Sequence, residues 1–329
     1  MNTLKWLLRR EYWEHKGAFF WAPAVVALVM VAMVAATLVF GFMSPAMNAH
    51  VVINGNEFTR SAVVMSAMGP QARAAMANGV ANGYIVAAAP LFGVLPFVVF
   101  FYCLSALYDD RRDRSILFWK SLPISDRDTV LSKALAALVL APIVTFVIGI
   151  VAALVIVLLC LFGAGLFGVH IVGAVLANPA FWLAPLQMLG LLPVYALWAL
   201  PTVAYLLLMS SLVRSKVFLW AVGVPLLVLA LLRWLSYMTM SLMGVAIDVH
   251  WIGEHIVLRG LGSVVPGFWL PFGAVSSRTL LDADQHVDAG NVFVQSWLTL
   301  AQPTVWIGVA AAVLMLYGAM RLRRWRDEG

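Results

Sequence analysis

The sequence predicts an all-α integral membrane protein of about six transmembrane helices. Of its 329 residues, 63% are hydrophobic and only 11% charged, whereas soluble domains run near a quarter charged. The apolar residues gather into stretches long enough to cross about 30 Å of hydrocarbon at 1.5 Å per residue. Lys and Arg stand mostly at the ends of those stretches, as membrane topology requires.

The chain reads as a single domain, 1–329. Residues 1–18 predict an interfacial helix, with Leu4, Leu7, Leu8 and Tyr12 on one face. Glu11 interrupts that face, and Trp6 and Trp13 fall among the arginines opposite. The first span, Phe19 to Met43, exceeds the roughly 7 to 15 apolar residues of a signal peptide and is expected to be retained. Residues 44–83 form an outer loop in which Asn54-Gly55, between Val51-Val52-Ile53 and Phe58-Thr59, suggests a small hairpin. An alanine-rich stretch follows, broken by Gly69-Pro70.

The second span runs from Tyr84 to Leu107 and is followed by a cytoplasmic loop, 108–129. The third, fourth and fifth spans are Val130 to Phe162, Phe181 to Leu212 and Val217 to Gly244. Residues 245–303 form a second outer loop. Within it Ile256 to Ala274 is apolar, but Arg259, four glycines and two prolines argue for a re-entrant or surface-lying segment. The sixth span, Thr304 to Tyr317, is short unless Gln302 and Leu322 join its edges.

The inner segments hold Lys5, Arg9, Arg10 and Lys16; Arg111, Arg112, Arg114, Lys120, Arg127 and Lys133; Arg214 and Lys216; Arg321, Arg323, Arg324 and Arg326. The outer ones hold only Arg60, Arg73, Arg259 and Arg278. Both termini are therefore expected in the cytoplasm, in a multi-pass protein of the plasma membrane, for a bacterium the inner membrane. The net charge of +6 forms no continuous basic stripe, which argues against nucleic acid as a partner. Cys103 and Cys160 lie inside apolar spans and read as small core residues.

Arg233 is the one charge well inside a span. It either snorkels to the outer interface beside Trp234 and Tyr237 or lines a pathway for an anionic substrate. Prolines 90, 96, 142, 185, 193, 201 and 225 punctuate the spans, each removing a backbone hydrogen bond. The outer acids and histidines Asp248, His250, Glu254, His255, Asp282, Asp284, His286 and Asp288 lack the spacing of familiar metal sites, so no metal is expected. No Gly-Lys pair occurs, and with it no phosphate-cradling loop. No catalytic constellation stands out in the spans.

The cytoplasmic loop is the most informative stretch. Its Ile116, Leu117, Phe118, Trp119, Leu122 and Ile124 are apolar, and a short helix from Arg112 to Ser121, ended by Pro123, would present them beside charge. Such a patch suits a protein partner or an interfacial helix lying on lipid. Tyr108 to Ser125, with Ser121-Leu122-Pro123-Ile124-Ser125 and then Val130-Leu131-Ser132-Lys133, resembles the coupling segment of the permease subunits of ABC-2 type ATP-binding-cassette exporters. Relatives often carry Glu at Asp109 or Asp110 and a Gly near Ser115.

The resemblance extends to the basic N-terminal segment, the six spans and the long outer segment before the last. It implies that Arg111, Arg112, Arg114, Phe118, Trp119, Lys120, Leu122, Pro123 and Ile124 dock on a separate ATPase subunit, which binds ATP and Mg, and that the N-terminal helix touches it too. It also implies a second permease, identical or related, in the same bilayer. The chain itself would carry no cofactor and no enzyme activity. The rival readings are a membrane-embedded hydrolase or transferase using the outer acids and histidines, and a non-transport membrane scaffold or immunity protein.

Overall fold

The computed structural model describes residues 3–44, 50–53, 56–59, 69–112, 125–166, 171–244, 248–273, 275–281, 285 and 287–326. Among them, six helical segments are long and apolar enough to cross a membrane: Gly17–Met43, Pro70–Arg112, Asp126–Leu166, Pro179–Leu212, Leu219–Leu242 and Pro303–Arg324. The chain is a multi-pass membrane protein. Its surface agrees, since Leu28, Phe40, Leu226, Leu242, Ile307 and Leu314 all point outward, an arrangement that lipid solvates and water does not.

In chain order the helices are α1 (Thr3–Glu14), α2 (Ala22–Met43), α3 (Pro70–Ala81), α4 (Gly83–Arg112), α5 (Asp126–Leu135), α6 (Ala141–Leu166), α7 (Val172–Ala177) and α8 (Pro179–Gly190). They continue with α9 (Leu192–Leu212), α10 (Val224–Met243), α11 (Val249–Ile252), α12 (Arg259–Gly262), α13 (Trp269–Phe272), α14 (Ala289–Leu298) and α15 (Pro303–Arg326). A two-stranded hairpin, β1 (His50–Ile53) and β2 (Asn56–Thr59), flanks Asn54-Gly55, with Ile53 opposite Asn56.

Two expected boundaries move. Residues 70–81, read from the sequence as part of an outer loop, form α3 and stack on the start of the second span. Pro70 in the first turn gives up no hydrogen bond there, and the alanines that follow favour helix. The sixth span continues to Arg326 because Arg323 and Ala319 are buried against the bundle.

Three spans contain a π-helical turn, at the start of the first and fifth (Gly17–Trp21 and Leu219–Gly223) and between α5 and α6 in the third (Ala136–Leu140). Each turn ends two residues before a proline, namely Pro23, Pro142 and Pro225. Proline donates no N–H, and its ring crowds the carbonyl four residues back. That carbonyl belongs to Phe19, Leu138 or Ala221, in the middle of each turn, so widening the turn relieves the clash. The freed Ala221 carbonyl accepts from the Tyr205 hydroxyl at 2.8 Å.

The core runs along the fourth span, where Tyr195, Trp198, Leu206 and Leu207 are fully buried. α9 packs on α15 and α4, α4 on α6, and α6 on α2. By contrast α2 and α10 keep most of their apolar side chains exposed. The segment after the fifth span folds back on the bundle: Gly253 meets Leu229 on α10, and Arg259 meets Gly308 on α15.

Candidate functional site

At one end of the bundle, α1, α4, α5 and α15 converge on five charged side chains that are mostly buried. Lys133 Nζ lies 3.2 Å from Glu11 Oε1 and 3.4 Å from Asp110 Oδ2. Arg323 Nη1 lies 3.3 Å from the same Asp110 oxygen, and its Nε donates to Asp126 Oδ1 at 3.1 Å. The order Glu11, Lys133, Asp110, Arg323, Asp126 alternates in sign along its length. Glu11 and Lys133 are only 1% and 2% exposed, so each charge depends on its neighbours to offset lost hydration.

Glu11 also accepts from the Tyr102 hydroxyl at 2.7 Å. His15 Nδ1 lies 3.8 Å from Glu11 Oε2, and the His15 and Phe19 rings both stand edge-on or tilted to Tyr102, at 4.8 and 4.9 Å. This aromatic cover keeps water from Glu11. The residue that interrupts the apolar face of α1 thus points inward with Leu7, while Trp6 and Trp13 face outward.

Arg323 holds both roots of the 113–124 loop, Asp110 just before it and Asp126 just after. The second root begins a helix because Ser125, its N-cap, accepts from Asp128 N through Oγ at 3.1 Å, and the same hydroxyl donates to Asp128 Oδ2 at 2.8 Å. The first root is tied sideways. Arg111 donates to the Ser210 and Val213 carbonyls at the end of α9. Ser210 Oγ accepts from Leu107 N and Tyr108 N at 3.1 and 2.9 Å, and donates to Leu104 O at 2.8 Å. α1, the loop roots, the turn after α9 and the end of α15 therefore meet at a single end of the molecule.

Beside Asp126 a recess of about 390 Å³ is lined by Ser125, Arg127, Tyr317, Met320, Arg321 and Arg324. It offers three guanidinium groups at the edge of the loop.

Of the residues read as a partner-binding segment, Arg111 turns into the bundle and Arg112 is exposed at the end of α4. Arg114, Phe118, Trp119, Lys120, Leu122, Pro123 and Ile124 lie outside the described residues. Arg233 is exposed on α10, between the exposed Leu231 and Trp234.

Several of the acids weighed as metal ligands have local structural work. Asp248 caps α11 by accepting from Trp251 N, and Asp288 caps α14 by accepting from Gly290 N at 2.7 Å. His250 and Glu254 pair at 3.3 Å on an exposed helical surface, and His255 stacks on Trp251. Asp282, Asp284 and His286 lie outside the described residues. Among the described residues no group of three His, Cys, Asp or Glu side chains could hold a metal.

Along the sequence Lys133 reads as an inner positive charge that closes Val130-Leu131-Ser132-Lys133, and Arg323 as an inner positive charge; neither is joined there to Glu11 or Asp126. The available signal was a carboxylate on the apolar face of α1, which in a membrane protein calls for a buried cation. No family model, curated protein or solved structure matches the chain, so the functional reading rests on its own residues.

Proposed function

We propose that this chain is the membrane-spanning subunit of an ATP-driven exporter of the ABC-2 type, energised by separate ATPase subunits that bind ATP and Mg. The observation that carries the reading is the clamp of Arg323 on Asp110 and Asp126. A loop that only joined two helices would need no buried ion pairs at its roots. A loop that receives force from a partner needs roots that transmit it.

The four basic segments meet at one end of the molecule, which supports a cytoplasmic placement of that end, of both termini and of the loop. The segment 245–303 then lies on the outer side, with its apolar part re-entrant between α9, α10 and α15. ATP-driven closure of the ATPases would push on 112–125 through Phe118, Trp119 and Leu122, with Arg112, Arg114 and Lys120 at the rim. Pro123 and Ile124 would end the contact. Because Arg323 and Lys133 tie that loop to α1, α4, α5 and α15, the push would move these elements together. The π turns at 17–21 and 136–140, one step beyond the tied helices, are where the first and third spans would yield. The uncovered apolar faces of α2 and α10 suit a second permease in the same bilayer, and Arg233 stands on that uncovered surface. The bacterial inner membrane is the expected location.

The test is co-purification. A tagged chain extracted from its own membrane should bring with it a chain that carries a Gly-x-x-x-x-Gly-Lys-Ser/Thr loop and hydrolyses ATP. The double variant Phe118→Ala, Trp119→Ala should insert normally but lose that partner, because aromatic residues at an interface centre commonly cost about 2 kcal/mol or more each. Retention of the partner by the double variant, or a C-terminal reporter at Gly329 that reads as external, would overturn the proposal.

A further inference from the structure

The segment that folds back after the fifth span encloses a second recess of about 390 Å³ between α9, α10 and α15, a size typical of sites for small amphiphiles. Its walls are Pro201, Tyr205, Pro225, Ile307, Ala311 and Met315, with Arg259 at one end and no carboxylate among its lining residues. The guanidinium is held in place. It lies 4.7 Å over the buried Trp198 ring, and Nη2 donates to Thr304 O at 2.8 Å.

Gly308 leaves the room it occupies, since a Cβ there would come within 3.4 Å of Arg259 Nη2 and 3.2 Å of Pro201. The Arg259 carbonyl is fixed as well, accepting from Ser263 Oγ at 2.6 Å. Among the described residues the bond to Thr304 is the one hydrogen bond that the Arg259 side chain makes, and a guanidinium carries five N–H donors. A positioned cation with donors to offer therefore stands at the end of an apolar channel. From Thr304 the channel follows α15 to Met315, about 16 Å at 1.5 Å per residue.

We propose that this recess binds one anionic phospholipid of the surrounding bilayer, its phosphate on Arg259 and one acyl chain along Tyr205, Ile307, Ala311 and Met315. The guanidinium presents paired donors to the phosphate oxygens, and a headgroup without a cation of its own leaves a net negative charge to meet Arg259, which favours an anionic lipid over a zwitterionic one. The apolar walls select a chain rather than a free ion, and exposed Ile256 and Ile307 at the rim open the recess toward lipid. The assignment is independent of the exporter reading and holds whatever the chain moves.

The purified protein would be reconstituted in vesicles of equal phosphatidylglycerol and phosphatidylcholine with matched chains, then re-extracted in mild detergent. Bound lipid would be counted by mass spectrometry. The wild type should retain phosphatidylglycerol over phosphatidylcholine by on the order of tenfold, the effect of a headgroup whose negative charge is not offset by a choline cation. Arg259→Gln should abolish the preference, and Arg259→Lys should keep part of it. Ala311→Phe, at an exposed position that leaves the Arg259 packing intact, should expel the lipid altogether. Equal retention by the wild type, a preference that survives Arg259→Gln, or full occupancy in a well-folded Ala311→Phe protein would each overturn the assignment.

Discussion

At one end of the bundle Glu11, Asp110, Asp126, Lys133 and Arg323 join four helices through ion pairs. At the other end neutral groups make comparable links. Trp198 Nε1 donates to Thr299 Oγ1 at 3.1 Å, Trp269 Nε1 to Ser296 Oγ at 2.8 Å, and Asn178 Nδ2 to Asn78 Oδ1 at 2.8 Å. The two chemistries differ in how they fail. A neutral hydrogen bond that loses one partner costs about 1–2 kcal/mol, the desolvation of an uncharged group. A buried charge that loses its partner has no substitute nearby, and the loss is on the order of 3–5 kcal/mol. The charged end is therefore specified as a unit and the neutral end as a set of separable contacts.

The comparison breaks most directly at its strongest point. Lys133→Met leaves the Glu11 and Asp110 carboxylates near each other with no cation between them. It should cost about 3–5 kcal/mol, read as a lowered thermal midpoint and loss of monodisperse protein in detergent. The triple variant Glu11→Gln, Asp110→Asn, Lys133→Met removes the charges together. It should recover at least half of that loss, since neutral groups need no compensating ion. A triple variant as unstable as Lys133→Met would show that packing, and not charge, holds this end.

Glu11→Gln alone should have an intermediate effect, about 2 kcal/mol. Lys133 keeps Asp110, and the Tyr102 hydroxyl keeps an acceptor. At the neutral end, Thr299→Val removes the acceptor of Trp198 Nε1 and the donor to Ser296 O and should lower stability by about 1–2 kcal/mol, measured by the same thermal scan. An effect equal to that of Lys133→Met would erase the distinction between the ends. The smallest change is expected at the exposed His250 and Glu254 pair, where Glu254→Gln should shift stability by less than about 0.5 kcal/mol. Raising salt from 0.1 to 1 M, which shortens the screening length from about 10 to about 3 Å, should remove what remains of that pair and leave the buried ladder unchanged.

Much of the architecture was legible in advance, because length and hydropathy act locally. Each span declares itself within some twenty consecutive residues, and the apolar face of α1 within three turns. The extension of the sixth span was hidden, since an arginine near a helix end reads as a boundary unless its buried partners are known. The same holds for α3, whose alanines carry little hydropathy signal and whose helical state follows from Pro70 and from stacking on α4.

Legible along the chain were its place in a bilayer, six segments able to cross it, and positive charge gathered in the two terminal segments and two of the loops. Those properties are sums over neighbours along the chain. Only the tertiary structure decided that Glu11 meets Lys133, that Arg323 grips both roots of one loop, and that Arg259 rests on Trp198 beside Gly308. These partners lie tens to hundreds of residues apart. In a low-dielectric interior the pairing of a charge is set by which helices pack together, a property that no local window of sequence contains.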